Sequence, residues 1–132
     1  MVTHKDKNIH MRNLIISSAI LLFSLAGCKK EDLNSNRLKV EVYNNDSFEF
    51  RNPYVIDVFN LRTGKNILSI RDKSTEDYQT SEDVLPGDNI EIAYTMFCDC
   101  EITVKYKGQK LDKRSNSFFN KKEGKINVTV PR

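Results

Sequence analysis

The sequence predicts an all-β chain: an antiparallel β-sandwich of seven or eight short strands, preceded by an apolar leader and a polar tether. Three observations predict it. From residue 38 onward, apolar side chains recur at every second position, the period of a half-buried strand. Turn-forming residues separate these runs at short intervals. No stretch carries the period of an amphipathic helix, and no internal repeat is evident.

The elements follow in order. Leu38, Val40 and Val42 alternate with Lys39, Glu41 and Tyr43, and Asn44-Asn45-Asp46 is a turn signal. Phe48 and Phe50 then alternate with Glu49 and Arg51, which predicts another short strand. Pro53 suits the first position of the next strand, where its missing N–H costs least. That strand covers residues 54–61. Gly64 supplies a positive φ for a hairpin loop, and residues 67–70 form the returning strand. Residues 71–83 are polar, with Tyr78 as the one sizeable anchor for a short edge strand. Leu85-Pro86-Gly87-Asp88 places proline and glycine at the two central positions of a type II turn.

The most regular alternation comes next. Ile90, Ile92, Tyr94 and Met96 are followed, beyond Cys98-Asp99-Cys100, by Ile102, Val104 and Tyr106. The apolar positions keep one parity across the Cys-Asp-Cys. A hairpin with those three residues at its tip would pair Met96 with Ile102 and Tyr94 with Val104, keeping both apolar faces together. One long bent strand is the alternative. Residues 107–110 read as a turn, residues 111–121 as a segment with Phe118-Phe119 partly buried, and Ile126, Val128 and Val130 as the final strand, ending at Pro131.

The leader has its own logic. Lys5, Lys7 and Arg12 precede an apolar run over residues 14–25, and small residues follow. This is the order of a secretory signal. The run is shorter than the roughly 20 residues that span a bilayer. Met11 is an alternative start, because Arg12 still supplies a positive flank. Leu25-Ala26-Gly27-Cys28 resembles the lipobox of bacterial lipoproteins. That resemblance implies cleavage before Cys28 and attachment of lipid to its sulfur. One acyl chain binds a membrane only marginally and two hold it firmly, so the expected anchor lies on a membrane without spanning it. Lys30-Glu31-Asp32 resembles the tag that marks surface export in Bacteroidota lipoproteins, which implies the outer membrane and display on its outer face ahead of the periplasmic one. The expected organisation is a signal peptide over 1–27, a lipidated tether over 28–36 and a β-sandwich over 37–132. The strand pattern is similar to the immunoglobulin-like or transthyretin-like domains that follow such tethers in many surface lipoproteins.

Composition narrows the chemistry. Removing residues 1–27 takes away both histidines, His4 and His10, and leaves a nearly neutral chain without tryptophan. Histidine-dependent catalysis and histidine metal sites are thereby excluded, and no cofactor is expected. Near neutrality argues against nucleic acid as a partner. No acid ends an apolar strand in a way that raises its pKa, so the expected protein is not an enzyme. Cys98 and Cys100 are the thiols that remain beside Cys28. In an oxidising compartment three readings compete: a tight disulfide, two partly buried small hydrophobes, or a redox or metal role. For the last, two ligands are too few for a closed zinc site and the spacing falls one residue short of CxxC. Residues 72–101 hold nine carboxylates and one base, Lys73, whereas residues 105–125 are mostly basic. Either these segments neutralise each other, or Lys105, Lys107, Lys110, Lys113 and Arg114 form a rim for an anionic ligand. The acidic segment lacks the spacing of a calcium loop, and Asn127-Val128-Thr129 is a coincidental sequon.

These readings lead to one expectation: a lipid-anchored, non-enzymatic binding module of the bacterial cell envelope, with a protein or glycan partner. The alternatives are an envelope immunity or inhibitor protein directed at a toxin or hydrolase, a carbohydrate-binding module that uses tyrosines, and a subunit that adds a strand through an exposed sheet edge.

Overall fold

Period-two alternation in the sequence becomes period-two burial in space. The computed structural model describes residues 35–117 and 120–132, which fall within one unit, Glu31–Arg132. The leader, Cys28, most of the tether and Phe118-Phe119 lie outside the described residues. Among the described residues the strands are β1 (Leu38–Asn44), β2 (Tyr54–Asn60), β3 (Lys65–Asp72), β4 (Glu76–Gln79), β5 (Asn89–Met96), β6 (Cys100–Tyr106), β7 (Gln109–Ser115) and β8 (Lys122–Thr129). They form two four-stranded sheets, one ordered β4-β1-β6-β7 and the other β3-β2-β5-β8. Every neighbouring pair is antiparallel.

The inner faces of both sheets supply one core. Leu38, Val40, Ile102 and Val104 from the first sheet meet Tyr54, Ile56, Ile92 and Ile126 from the second, all fully buried. A fully buried aliphatic side chain contributes about 1.5–3 kcal/mol relative to an exposed one, so this layer of side chains drives the assembly. Ile67 and Ile70 are both buried although three residues apart. A register shift opposite Val58 and Phe59 explains this: Val58 faces Leu68 while Phe59 faces Asn66, leaving Ile67 as an extra residue turned inward.

Three segments differ from the sequence expectation. The chain does not fold back at Cys98-Asp99-Cys100. It passes from the β5 sheet to the β6 sheet, so Met96 pairs with Tyr54 and Lys122, and Ile102 pairs with Val42 and Arg114. A crossover between facing sheets preserves inward parity as well as a three-residue hairpin does, and parity alone cannot separate them. Phe48 and Phe50 do not form a strand. They sit in a 3-10 turn, Phe48–Phe50, with both rings exposed. The buried carboxylate of Asp46 gathers this loop by accepting Asn52 and Asp99, and Phe50 N bonds Ser47 O within the turn. Residues 109–115 are strand β7. At a sheet edge, bonded to β6 alone, this segment needs no apolar alternation, and Leu111 is its one apolar side chain.

The turns at the end where the chain enters the sandwich are closed by Asp88. Its Oδ1 accepts Arg62 Nε (2.5 Å); its Oδ2 accepts Asn60 Nδ2 (2.8 Å) and Leu85 N (3.0 Å). Gly87 has φ +89°, the value a type II turn demands at its third residue, and Asp88 N bonds Leu85 O across the turn (3.0 Å). The β2–β3 turn closes on Gly64, φ +68°. Asn36 ties the incoming chain down: its carbonyl accepts Val84 N (2.8 Å) and its side chain accepts the Tyr106 hydroxyl (3.3 Å).

Gly124, on edge strand β8, stands opposite Tyr94. A Cβ there would lie 2.5 Å from the Tyr94 hydroxyl oxygen and 2.7 Å from Cζ. The tyrosine ring therefore occupies the space that any side chain at 124 needs. Gly124→Val is expected to destabilise the fold by about 1–3 kcal/mol through overpacking, read as a lower midpoint in urea denaturation. Lys125→Val next to it, on the solvent side, should stay within about 0.5 kcal/mol.

Candidate functional site

The register places four connections together at the end opposite Asn36: residues 45–53, 73–75, 97–99 and, of the described residues after β7, 116–117 with 120–121. Asn44, Asp46 and Asn116 at this distal end are buried and hydrogen-bonded. Asp46 Oδ2 accepts Asn52 N and Nδ2 (both 2.9 Å), and Oδ1 accepts Asp99 N (3.0 Å). Burial alone would push the Asp46 carboxyl up, but these hydrogen bonds, with the Arg51 charge nearby, hold it below the ordinary range. Asn45 N bonds Asp99 O (2.8 Å) and Phe97 N bonds Pro53 O (3.1 Å). The 45–53 and 97–99 loops thus run bonded side by side. Asn44 Nδ2 reaches Lys73 O (2.9 Å) and Asn52 O (3.1 Å), drawing in the third loop. Asn116 Nδ2 donates to Cys98 O (3.0 Å), drawing in the fourth.

Cys98 and Cys100 are joined to each other, with Cα atoms 5.1 Å apart, and both side chains are buried. The bond sits in the crossover itself. Asp99 between them has both its N–H and its carbonyl committed to the 45–46 segment, so the link fixes the crossover against the neighbouring loop.

Beside these loops, Tyr78 donates to Asp72 Oδ2 (2.6 Å), the Tyr54 and Tyr78 hydroxyls lie 2.9 Å apart, and Tyr54 donates to Ser74 O (2.8 Å). Asp72 also accepts Ser74 Oγ (2.7 Å) and Lys73 N (2.6 Å). The Tyr78 bond and then the Ser74 bond lower its carboxyl to about 2. Burial, and then the adjacent Asp72, push the Tyr78 phenol up. These bonds tie the three side chains to the Ser74 backbone, and the arrangement works as a brace between β2, the β3–β4 connection and β4.

On this satisfied base sit large exposed apolar rings. Phe48 is 85% exposed, Phe50 75% and Phe97 41%. Arg51 lies over the Phe48 ring at 5.3 Å and Lys121 over the Phe97 ring at 5.6 Å. The Arg51 Nε is buried with no acceptor among the described residues, a state that typically costs about 1–3 kcal/mol. Sequence reading placed Phe48 and Phe50 in a strand and missed this tip. The signal that marks it is the combination of two phenylalanines with turn residues on both sides, Asn44-Asn45-Asp46 before and Asn52-Pro53 after.

The five basic residues expected to form a rim are spread over several surfaces. Lys105 and Lys113 lie on the outer face of the first sheet, where Lys105 bonds Glu41 (2.9 Å) and Lys113 bonds Glu101 (2.7 Å). Arg114 stands opposite inward Ile102 and bonds Asp112 (3.0 Å). Lys107 in the β6–β7 turn lies over the Tyr106 ring at 5.4 Å, and Lys110 faces Lys105 across the register. Glu41 also holds Lys39 (2.9 Å), which in turn reaches Asp77 (3.1 Å). The acidic and basic segments therefore interleave on the outer face. Of the tyrosines, Tyr43 is the one left mostly exposed; Tyr54, Tyr94 and Tyr106 are buried and Tyr78 is half-buried. Among the described residues no group of histidine, cysteine or carboxylate side chains is arranged to hold a metal ion, and no helix is long and apolar enough to cross a membrane. Comparison with protein-family models, with curated proteins and with solved structures gives no match.

Asp88, like Asp72, is held at about 2, chiefly by the Arg62 hydrogen bond. A carboxyl whose folded pKa is depressed stabilises the fold fully above its unfolded value, near 3.8, and loses that contribution as pH falls through its folded value. Stability should therefore hold level from pH 7 to 5 as far as these groups are concerned, then fall between about pH 4 and pH 2. Asp88→Asn should lower stability at pH 7 and flatten that acid limb, as measured by urea midpoints across the pH series.

Proposed function

We propose that this protein is a lipid-anchored lipoprotein of the bacterial cell envelope, held to a membrane through Cys28, whose β-sandwich is a non-enzymatic binding module. The lipobox-like Leu25-Ala26-Gly27-Cys28 supports the anchor. The observation that carries the binding role is the distal tip. Phe48, Phe50 and Phe97 expose large rings at the end of the sandwich farthest from Asn36, where the chain enters. Lys30-Glu31-Asp32 supports placement in the outer membrane with the module facing outward.

Between the two architectures that the sequence resembles, the transthyretin-like one is preferred. The immunoglobulin constant-type order sets its first two strands side by side in one sheet, whereas here β1 and β2 belong to opposite sheets.

The second reading is an inhibitor or immunity role, and the protruding 45–53 loop favours it over a carbohydrate module built on tyrosines. Cells making the full chain and fed a palmitate analogue should label the wild type and not Cys28→Ser. In the same fractions the wild type should travel with membranes and the variant should not. Equal labelling of both proteins would remove the anchor from this reading.

A further inference from the structure

Resting on the binding role just proposed, we propose that the distal loop over residues 45–53 is a preformed wedge that inserts Phe48 and Phe50 into an apolar cleft of a partner protein, with a carboxylate of that partner meeting Arg51. Four observations carry this. First, the loop's backbone is fixed before any partner arrives: Asp46 holds Asn52 and Asp99, and Asn44 holds Asn52 and Lys73. A loop already in its bound shape loses little entropy on docking, which raises affinity. Second, the three exposed rings at this end together present on the order of 400 Å² of apolar surface. That is about half of what a stable dimer buries on each partner, too little for two copies of this tip to hold each other, so a cleft that encloses the rings suits it better.

Third, the charges fit a protein better than a bilayer. Glu49 lies between the two phenylalanines in the sequence and is exposed with them. Driving both rings into hydrocarbon would carry that carboxylate toward the membrane interior, which is costly; a protein cleft can leave it at the rim. Fourth, Arg51 lies over one face of the Phe48 ring while its Nε is buried without an acceptor among the described residues. When Arg51 turns outward to a partner's carboxylate, the buried donor gains a partner. Aromatic and arginine side chains of this kind carry most of the binding energy in protein interfaces.

The test uses the full chain in the cells that make it. A photo-crosslinking phenylalanine analogue replaces Phe48 or Phe50 at the tip, or Thr103 or Thr95 on the outer faces of the two sheets. The expected result is a protein adduct from positions 48 and 50, with none from 103 or 95. Peptide mass spectrometry names the crosslinked protein. That protein, purified, should bind the wild type and should bind the Phe48→Ser, Phe50→Ser double variant about thirtyfold or more weakly. Both rings are exposed, so the variant should keep the wild-type urea midpoint, and that measurement accompanies the binding curve. An adduct with lipid alone, an adduct with a second copy of this chain, or undiminished binding by the double variant overturns the wedge. Protein adducts from 103 or 95 and none from the tip would overturn it while leaving a binding module elsewhere on the surface. No adduct from any of the four positions would count against both.

Discussion

The structure depends on one geometric constraint: every second side chain from Ile90 to Tyr106 enters the same core although the chain changes sheets midway. Ile90, Ile92, Tyr94, Met96, Cys98, Cys100, Ile102, Val104 and Tyr106 are all buried. Two sheets facing across a shared core accept such a run without a break in parity. The price appears at the crossover, where the backbone leaves one ladder before joining the next. There Phe97 N must find Pro53 O, and Asp99 must find Asn45 and Asp46. The crossover thereby recruits the 45–53 loop as its hydrogen-bonding substitute for a strand. The same parity that buries Met96 and Cys98 turns Phe97 outward.

Much of this was legible in the sequence, because burial with a period of two is a direct physical consequence of strand geometry. Leu38 to Val42, Tyr54 to Asn60 and Ile90 to Met96 could hardly be read otherwise. The turns at Gly64 and Pro86-Gly87 were legible because few residues tolerate their backbone angles. Tyr78 marked edge strand β4 because one large ring in a polar segment needs somewhere to pack. What stayed hidden depends on contacts distant in sequence. The identity of the strand beside β6 is set by which sheet the chain joins, and local alternation carries no record of that choice. Strand β7 has one apolar residue because an edge position asks for little burial. The loop that carries Phe48 and Phe50 is held by Asp46, whose partner Asp99 is far along the chain.

The candidate site was harder to read for a related reason. Basic residues cluster between 105 and 125 in the sequence, yet the fold sets their neighbours Glu41 and Glu101 among them. A hairpin and an adjacent strand bring opposite charges from separate segments into register, and each such exposed pair contributes about 0–1 kcal/mol. Linear charge clustering is therefore a weak guide to surface potential in a sheet. Burial of the carboxylates is the stronger organising effect: Asp88 closes one end of the sandwich and Asp46 the other, each binding together loops that share no strand.

The sheet edges have a further consequence. One border of the first sheet is β4, Glu76–Gln79, too brief to template much of a neighbour. The other is β7, where Lys110, Lys113 and Arg114 lie along seven residues. Two molecules sliding together along that border would bring like charges into apposition before any ladder could form. The first sheet thus resists edge-to-edge pairing through the brevity of one border and the charge of the other, rather than by covering them.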